Sequence, residues 1–344
     1  MKGKALVPAL IVLLLFGAFS MAGADTILFP VIAANQPNVT TIVSVVNNHG
    51  TTGGFLIITA AADPAFLTYT YRYKDTFVGG GAPNYTGGCT TYPFTRPTHN
   101  GDVVSFDVSG TFSSGNALFS DPDSYGGGFG IPVSGAKRAY LLVTHSDAGG
   151  ARVTAGGLAG QAILMDISAG AAWGYKAIDD SDRDDYNFTV DGTKSALAVE
   201  STSLFSTNTD SRVFSFFPTN EWSTRFFVTP IGNNMNNTDL TGEVSIASGF
   251  GVFFAPIGGV RDRGGNVHGA SVAQSIVCTG AVDVNALLDA TAQASVATTG
   301  GWGYLYNSST VNAEVVDFLE FVVNNPTYGG TNNNGYCLSC TPYP

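Results

Sequence analysis

Short apolar runs separated by turn residues recur along the chain. TILFPVIAA and TTIVSVV flank Asn35-Gln36-Pro37-Asn38, and Phe55 to Thr59, Phe66 to Tyr73 and Val103 to Val108 continue the pattern. The densest stretch is Arg138 to Ile178, which contains RAYLLVTHSD and QAILMDISAGAAWGYKAI. Runs of this length, bounded by Gly, Pro, Asn and Asp, predict β-strands joined by tight connections. On Gln161 to Ile167, period-two alternation puts Ile163, Met165 and Ile167 on one face and Ala162, Leu164 and Asp166 on the other. A strand buried on both faces is expected there. On Phe66 to Tyr73, Tyr69, Tyr71 and Tyr73 share one face and Thr68, Thr70 and Arg72 the other, which predicts one aromatic face and one wet face. Residues 79 to 101, with Gly79-Gly80-Gly81, Pro83, Cys89, Pro93 and Pro97, read as a long excursion that is functional or covalently tied down.

A second series of strands is expected at Arg212 to Phe217, Arg225 to Val228, Glu243 to Ile246 and Phe250 to Ala255, with a soft boundary between about 190 and 210. One helix is predicted over Asp283 to Gln293, where Asp283 is a cap and Val284, Leu287, Leu288 and Thr291 follow helical spacing. Residues 313 to 323 fit either period, and their Val and Phe content favours strand. The expected organisation is a leader at 1–24, β-sandwich-like domains at 25–195 and 196–323, and a Cys-containing tail at 324–344. The fold class is all-β and mainly antiparallel, with one short helix. An outer-membrane barrel is the competing fold, but doubly apolar runs and the Cys-bearing tail argue against it. Two echoes suggest duplication: Phe226-Phe227-Val228-Thr229-Pro230-Ile231-Gly232 with Phe253-Phe254-Ala255-Pro256-Ile257-Gly258, and Ala172-Trp173-Gly174-Tyr175 with Gly301-Trp302-Gly303-Tyr304.

The N-terminus changes the compartment. Lys2 and Lys4, the apolar run Ala5 to Phe19 and Ala22-Gly23-Ala24 have the form of a secretory signal cleaved before Asp25. The run is short of the roughly 20 residues a membrane span needs, so no span is expected after cleavage. Losing the leader removes two lysines and no acid, moving the formal charge from −11 to −13. Such an acidic chain lacks the cationic surface that nucleic-acid affinity depends on. Charged residues are 12 % of the chain, about half the ~25 % usual for soluble domains. A surface that is polar but weakly charged fits an extracellular or cell-surface β-protein, with the bacterial periplasm as the alternative compartment. A hydrophobic content of 44 % excludes a disordered chain.

Candidate chemistry is sparse. Cys89, Cys278, Cys337 and Cys340 form an even set in an exported chain, which points to disulfides; of three connectivities, Cys89 with Cys278 and Cys337 with Cys340 is the one adopted. Asp180, Asp182 and Asp184 occupy positions 1, 3 and 5 of a calcium loop, with Asp191 at position 12, so calcium is the one cofactor the sequence suggests. Asp185 replaces the glycine such a loop requires, and a solvated acidic loop is the competing reading. His145-Ser146-Asp147 contains triad residue types, but consecutive strand residues point to opposite sides. Glu200, Glu221, Glu243, Glu314 and Glu320 are carboxylates a glycosidase would draw on. Tyr69, Tyr71, Tyr73 and Trp222 are candidates for stacking on sugar rings, with core packing as the alternative.

LFP followed by TTIVSVVNN, then AYLLVTHSD, DISAGAAWGY, TRFFVTP and GGWGYL resemble features of a loosely defined class of exported, β-rich bacterial proteins of unknown function. That resemblance implies export and β-structure and assigns no functional residue. The expected role is noncatalytic: adhesion, a matrix or appendage component, or envelope binding, with polysaccharide or self-association as partners. An extracellular carbohydrate-active enzyme is the alternative.

Overall fold

The computed structural model describes residues 26–36, 39–47, 65–79, 81–112, 117–120, 128–151, 157–167, 171–179, 212–230, 251–269, 272–308, 315–323 and 333–337. The first half carries β1 (Thr26–Ala34), β2 (Val39–Asn47), β3 (Ala65–Asp75), β4 (Thr90–Thr98), β5 (Val103–Asp107), β6 (Ala117–Ser120), β7 (Lys137–Ser146), β8 (Leu158–Asp166), β9 (Ala171–Lys176) and β10 (Ile178–Asp179). The second carries β11 (Arg212–Phe216), β12 (Trp222–Pro230), β13 (Gly251–Arg261), β14 (Val267–His268), β15 (Gln274–Val277) and β16 (Gly280–Asp283). A 3-10 turn (Val284–Leu287), α1 (Ala290–Val296), β17 (Gly301–Ser308), β18 (Val315–Val323) and β19 (Asn333–Cys337) complete it. The fold is all-β, and the described strand pairs are antiparallel.

Four sheets result. In the first half they run β10-β1-β7-β3-β4 and β6-β5-β2-β8-β9; in the second, β11-β17-β13-β14 with β15 also on β13, and β16-β12-β18-β19. The first two sheets share one hydrophobic cluster, in which Tyr69 of β3 meets Phe106 of β5 edge-on at 5.8 Å and stacks on Phe94 of β4 at 5.2 Å. The second pair closes on Phe214, Phe216, Phe226, Val228, Val260 and Ile276, capped by Leu287, Leu288 and Val296.

The halves repeat one connectivity. β1-β7-β3-β4 has the order of β11-β17-β13-β15, and β5-β2-β8-β9 that of β16-β12-β18-β19. In the latter sheets the register also matches. Nine residues of β2 pair from Val39↔Asp166 to Asn47↔Leu158, and nine of β12 from Trp222↔Val323 to Pro230↔Val315. On this alignment Val43 and Val45 correspond to the core residues Phe226 and Val228. Ile42↔Asp107 corresponds to Arg225↔Asp283, and Asp107-Val108-Ser109 repeats as Asp283-Val284-Asn285, each aspartate accepting the backbone N–H two residues on. Gly174-Tyr175 repeats as Gly335-Tyr336, opposite Ile163-Ala162 and Glu320-Leu319. The two sequence echoes lie on non-equivalent strands: Phe226 on β12 against Phe253 on β13, and Trp173 on β9 against Trp302 on β17. β9 turns its Trp and Tyr inward, whereas Gly303 of β17 is buried and a Cβ there would meet the Phe214 ring at 3.1 Å.

Several expectations are corrected. β8 is buried on one face only: Ala162 and Leu164 are buried, while Ile163 is 38 % and Ile167 44 % exposed. The doubly buried strands are β1 and β7, with Tyr140, Leu141, Leu142 and Val143 all in the core. On β3 the side expected to be wet buries Arg72 and Lys74. The excursion 79–101 contains a strand, β4, whose Pro93 and Pro97 are tolerated because β4 is the sheet edge and an edge strand has backbone donors it need not use. The single helix is two pieces. Asp283 caps the 3-10 turn, Leu288 is extended, and Asp289 accepts from Ala292 N at 2.7 Å to start α1. A second capping aspartate captured the free amides, and Gln293 Nε2 donates to the carbonyls of Asn285 and Leu288 left by the break. Residues 315–323 are strand. The expected domain boundary at 195/196, and the expected strand at Glu243 to Ile246, lie outside the described residues.

β1 is irregular between Phe29 and Ile32. The facing sheet meets the backbone there: Tyr175 Oη donates to Val31 O at 2.6 Å and accepts from Val31 N at 3.2 Å, and just past the irregularity Thr41 Oγ1 serves both N–H and C=O of Ala33. Tyr175→Phe strips a donor and an acceptor from buried backbone. It should lower unfolding free energy by about 2–4 kcal/mol, measured by denaturant titration.

Candidate functional site

Of the described residues that the sequence singled out, Cys89 and Cys278 are brought together and most of the others serve the core or turns. Asp180, Asp182, Asp184, Asp191 and Cys340 lie outside the described residues, as do Glu200, Glu243 and Glu314; Cys337 ends β19 and Glu320 sits in β18. His145 and Ser146 are buried in β7, Ser146 Oγ accepting from Thr68 Oγ1 at 2.9 Å. Asp147 instead holds its own turn, accepting from Gly149 N and Ala151 N at 2.8 and 2.9 Å. Tyr69 and Tyr71 are core residues, Tyr71 Oη donating to Phe129 O at 2.9 Å, and neither offers a ring to a sugar. Burial pushes both phenols up. Trp222 is half-buried and leans on the exposed Phe217 at 4.7 Å.

Asp107, Asp147, Asp262, Asp283 and Asp289 serve turns and caps. Asp107 is fully buried, accepts from Ser109 N and Phe112 N at 3.0 and 2.8 Å, and is bonded to Thr40 Oγ1. Asp262 closes the β13–β14 turn by accepting from Gly264 N, Asn266 N and the Asn266 amide, with His268 Nε2 at 2.9 Å. The Asn266 side-chain bond, then His268, hold its carboxyl well below the usual range. Among the described residues no group of three or more His, Cys, Asp or Glu side chains is placed to hold a metal ion.

The most constructed polar site is the junction between the halves. Cys89, just before β4, is bonded to Cys278, just after β15, across 189 residues of sequence. Beside it the buried Lys74 Nζ donates to three backbone carbonyls, Tyr85 at 3.0 Å, Gly87 at 3.1 Å and Val277 at 2.8 Å. The loop that presents two of them is shaped by Asn84, whose Oδ1 accepts from Gly87 N and whose Nδ2 donates to Asp75 O. Asn84 opens a glycan-acceptor triplet, but its amide is committed to this loop. Further along, Phe227 of β12 enters the first half's hydrophobic cluster, 5.9 Å from Trp173 and 5.2 Å beneath the Arg138 guanidinium. Thr229 Oγ1 donates to Pro30 O at 2.8 Å.

Burial, and then the like charge of Arg138 directly across the ladder, lower the Lys74 ammonium to about 7. Sequence reading passed over Lys74 because a lysine near the end of an alternating strand looks solvated. Only the disulfide's position next to its loop signals otherwise. Chemically the site is a clamp: its donors and acceptors are spent on one another and on backbone. Comparison with protein-family models, curated proteins and solved structures found no match.

Lys74→Met would leave three carbonyls without their donor and should destabilise the chain by about 2–4 kcal/mol. The pH dependence follows from the lowered value. Between about 7 and the ordinary 10.5 the folded chain binds fewer protons than the unfolded one, so in the parent this residue makes stability rise with pH across that window. Melts from pH 7 to 10 should show a flatter dependence for Lys74→Met.

Proposed function

We propose that the chain is an exported, noncatalytic surface or extracellular protein that works as a β-scaffold for adhesion, matrix or appendage assembly, or envelope binding. The observation that carries this reading is how the described polar side chains are used. Asp107, Asp147, Asp262, Asp283 and Asp289 accept backbone amides in turns and caps, and Lys74 bonds three carbonyls at the junction. A chain whose acids and buried amine are engaged in holding backbone is organised for rigidity. The disulfide supports the exported location, since such bonds persist in oxidising compartments. No helix among the described residues is long and apolar enough to cross a membrane.

The test is to incubate the purified chain with a panel of insoluble polysaccharides and with cell envelopes, scoring binding and released sugar together. Retention without release is expected, whereas glycan cleavage would replace this reading with the carbohydrate-active enzyme. Stability gives a second check. A loop this long stapled by one disulfide contributes roughly 3–5 kcal/mol in the chain-entropy account, so the Cys89→Ser, Cys278→Ser double variant should unfold at markedly lower denaturant.

A further inference from the structure

From the groups around Lys74 we infer that this lysine is a positioning residue for disulfide formation: it aligns the thiols of Cys89 and Cys278 once the two halves meet, and so selects this pair from the four cysteines of the chain. Its ammonium binds both arms of the bond close to the sulfurs. Gly87 O, two residues before Cys89, and Val277 O, one residue before Cys278, lie at 3.1 and 2.8 Å from Nζ. Tyr85 O accepts from Nζ at 3.0 Å and from Val277 N at 2.9 Å, which ties the two arms to each other as well. None of these bonds involves a sulfur, so the reduced chain has the same groups with which to make them. Without such a hold, closing a loop across 189 residues is a rare event for a flexible chain.

The backbone at Cys278 gives Lys74 a second hold. Cys278 has a φ of 65°, in the left-handed region that favours glycine, and Val277 O accepts from Thr279 N at 2.8 Å to close a three-residue turn around it. The carbonyl that closes this turn is the one Lys74 binds. The first half turns its matching link, between β4 and β5, with Gly101 at a φ of 90°. A cysteine in such a conformation has to be kept there by its surroundings, and the ammonium supplies that hold before the disulfide exists. The redox step then runs from the outside inward. Cys89 is half-buried between the exposed Gly88 and Thr90, whereas Cys278 is 1 % exposed. The Cys89 thiolate attacks a small-molecule disulfide such as oxidised glutathione and expels one glutathione thiolate. The Cys278 thiolate, held beside the mixed disulfide, attacks Cys89 Sγ and expels the second. Two electrons pass from the protein to the glutathione disulfide, and the two protons lost by the cysteines end on the two glutathione thiols. The inference stands on the junction and not on the scaffold reading.

Oxidative refolding provides the test. The chain, reduced and unfolded in denaturant, is diluted into a glutathione redox buffer, quenched with an alkylating agent at intervals and mapped by mass spectrometry of its peptides. Cys89 with Cys278 should be the dominant pair of the parent. In Lys74→Met the closing step should slow by roughly tenfold or more, with glutathione accumulating on Cys89 and a larger share of Cys89 or Cys278 joined to Cys337 or Cys340. Phe106→Leu controls for lost stability alone: its ring packs on Tyr69 and Phe129 in the first half's core, so its pairing should stay parental. Melting curves check that the variants fold. If Lys74→Met does not, Asn84→Ala frees the loop that presents Tyr85 O and Gly87 O, and should show the same redistribution in weaker form. Formation of the Cys89 to Cys278 bond in Lys74→Met at the parental rate and share overturns the inference, as does Phe106→Leu misdirecting the pairing to the same extent, or a parent whose dominant pair is another.

Discussion

Pro30 and Val31 of β1 leave regular pairing with β7 while deep inside the protein, and their backbone polar groups, with those of Ala33 just beyond, are met there by side chains. A buried carbonyl or amide without a partner costs as much as a lost hydrogen bond or more. The chain answers from three directions: Thr41 from the adjoining strand, Tyr175 from the far edge of the facing sheet, and Thr229 from the other half of the molecule. Because Thr41 and Tyr175 belong to the facing sheet and Thr229 to the second half, this stretch of β1 fixes the placement of both against it. Apolar packing alone would let the layers slide, whereas a hydroxyl that must reach one carbonyl does not.

The same logic operates at the junction. Phe227 and Trp173 supply buried area, but directionality comes from Lys74, which reaches two carbonyls of one loop and one of β15 at once. Placing Arg138 directly opposite Lys74 is unfavourable in isolation. It is tolerated because each cation has its own acceptor: Lys74 has carbonyl oxygens, and Arg138 has the face of Phe227, a ring contributed by the second half. One of the three Lys74 acceptors and the ring beneath Arg138 come from the second half, so the second half adds to the stabilisation of both cations.

The fold class was legible because alternation and turn residues report local geometry directly: Thr26–Ala34, Lys137–Ser146 and Val315–Val323 are strands where the pattern puts them. Which face of a strand is covered is a property of layers, and there the sequence misled at β8, where Ile163 and Ile167 look like core and are exposed. The prolines of Thr90–Thr98 hid a strand because position in the sheet, not composition, decides whether a missing N–H matters. The sequence echoes lie on segments that are not structural counterparts. Rare residues such as Trp drew the comparison to β9 and β17, while the true counterparts share modest residues, Gly-Tyr and Asp-Val. Lys74 was missed altogether, since nothing local distinguishes a clamp from a solvated lysine.

Where the halves agree and where they differ separates two kinds of constraint. Inward positions keep their character: Val43 and Val45 against Phe226 and Val228 are all buried apolar residues, and Thr41 against Thr224 are both fully buried threonines. Asp107 and Asp283 keep the same turn bond. Outward positions on the same strands change character: Ile42 against Arg225, Ser44 against Phe227, Val46 against Thr229. Inward residues are held by the need to fill one sheet-to-sheet space, a requirement both halves face equally. Outward residues answer to whatever lies outside the sheet, and for β12 that neighbour is the first half itself. A face that meets a fixed partner acquires a large ring and a hydroxyl aimed at one carbonyl. On β2 the corresponding outward residues, Ile42, Ser44 and Val46, stay half-exposed.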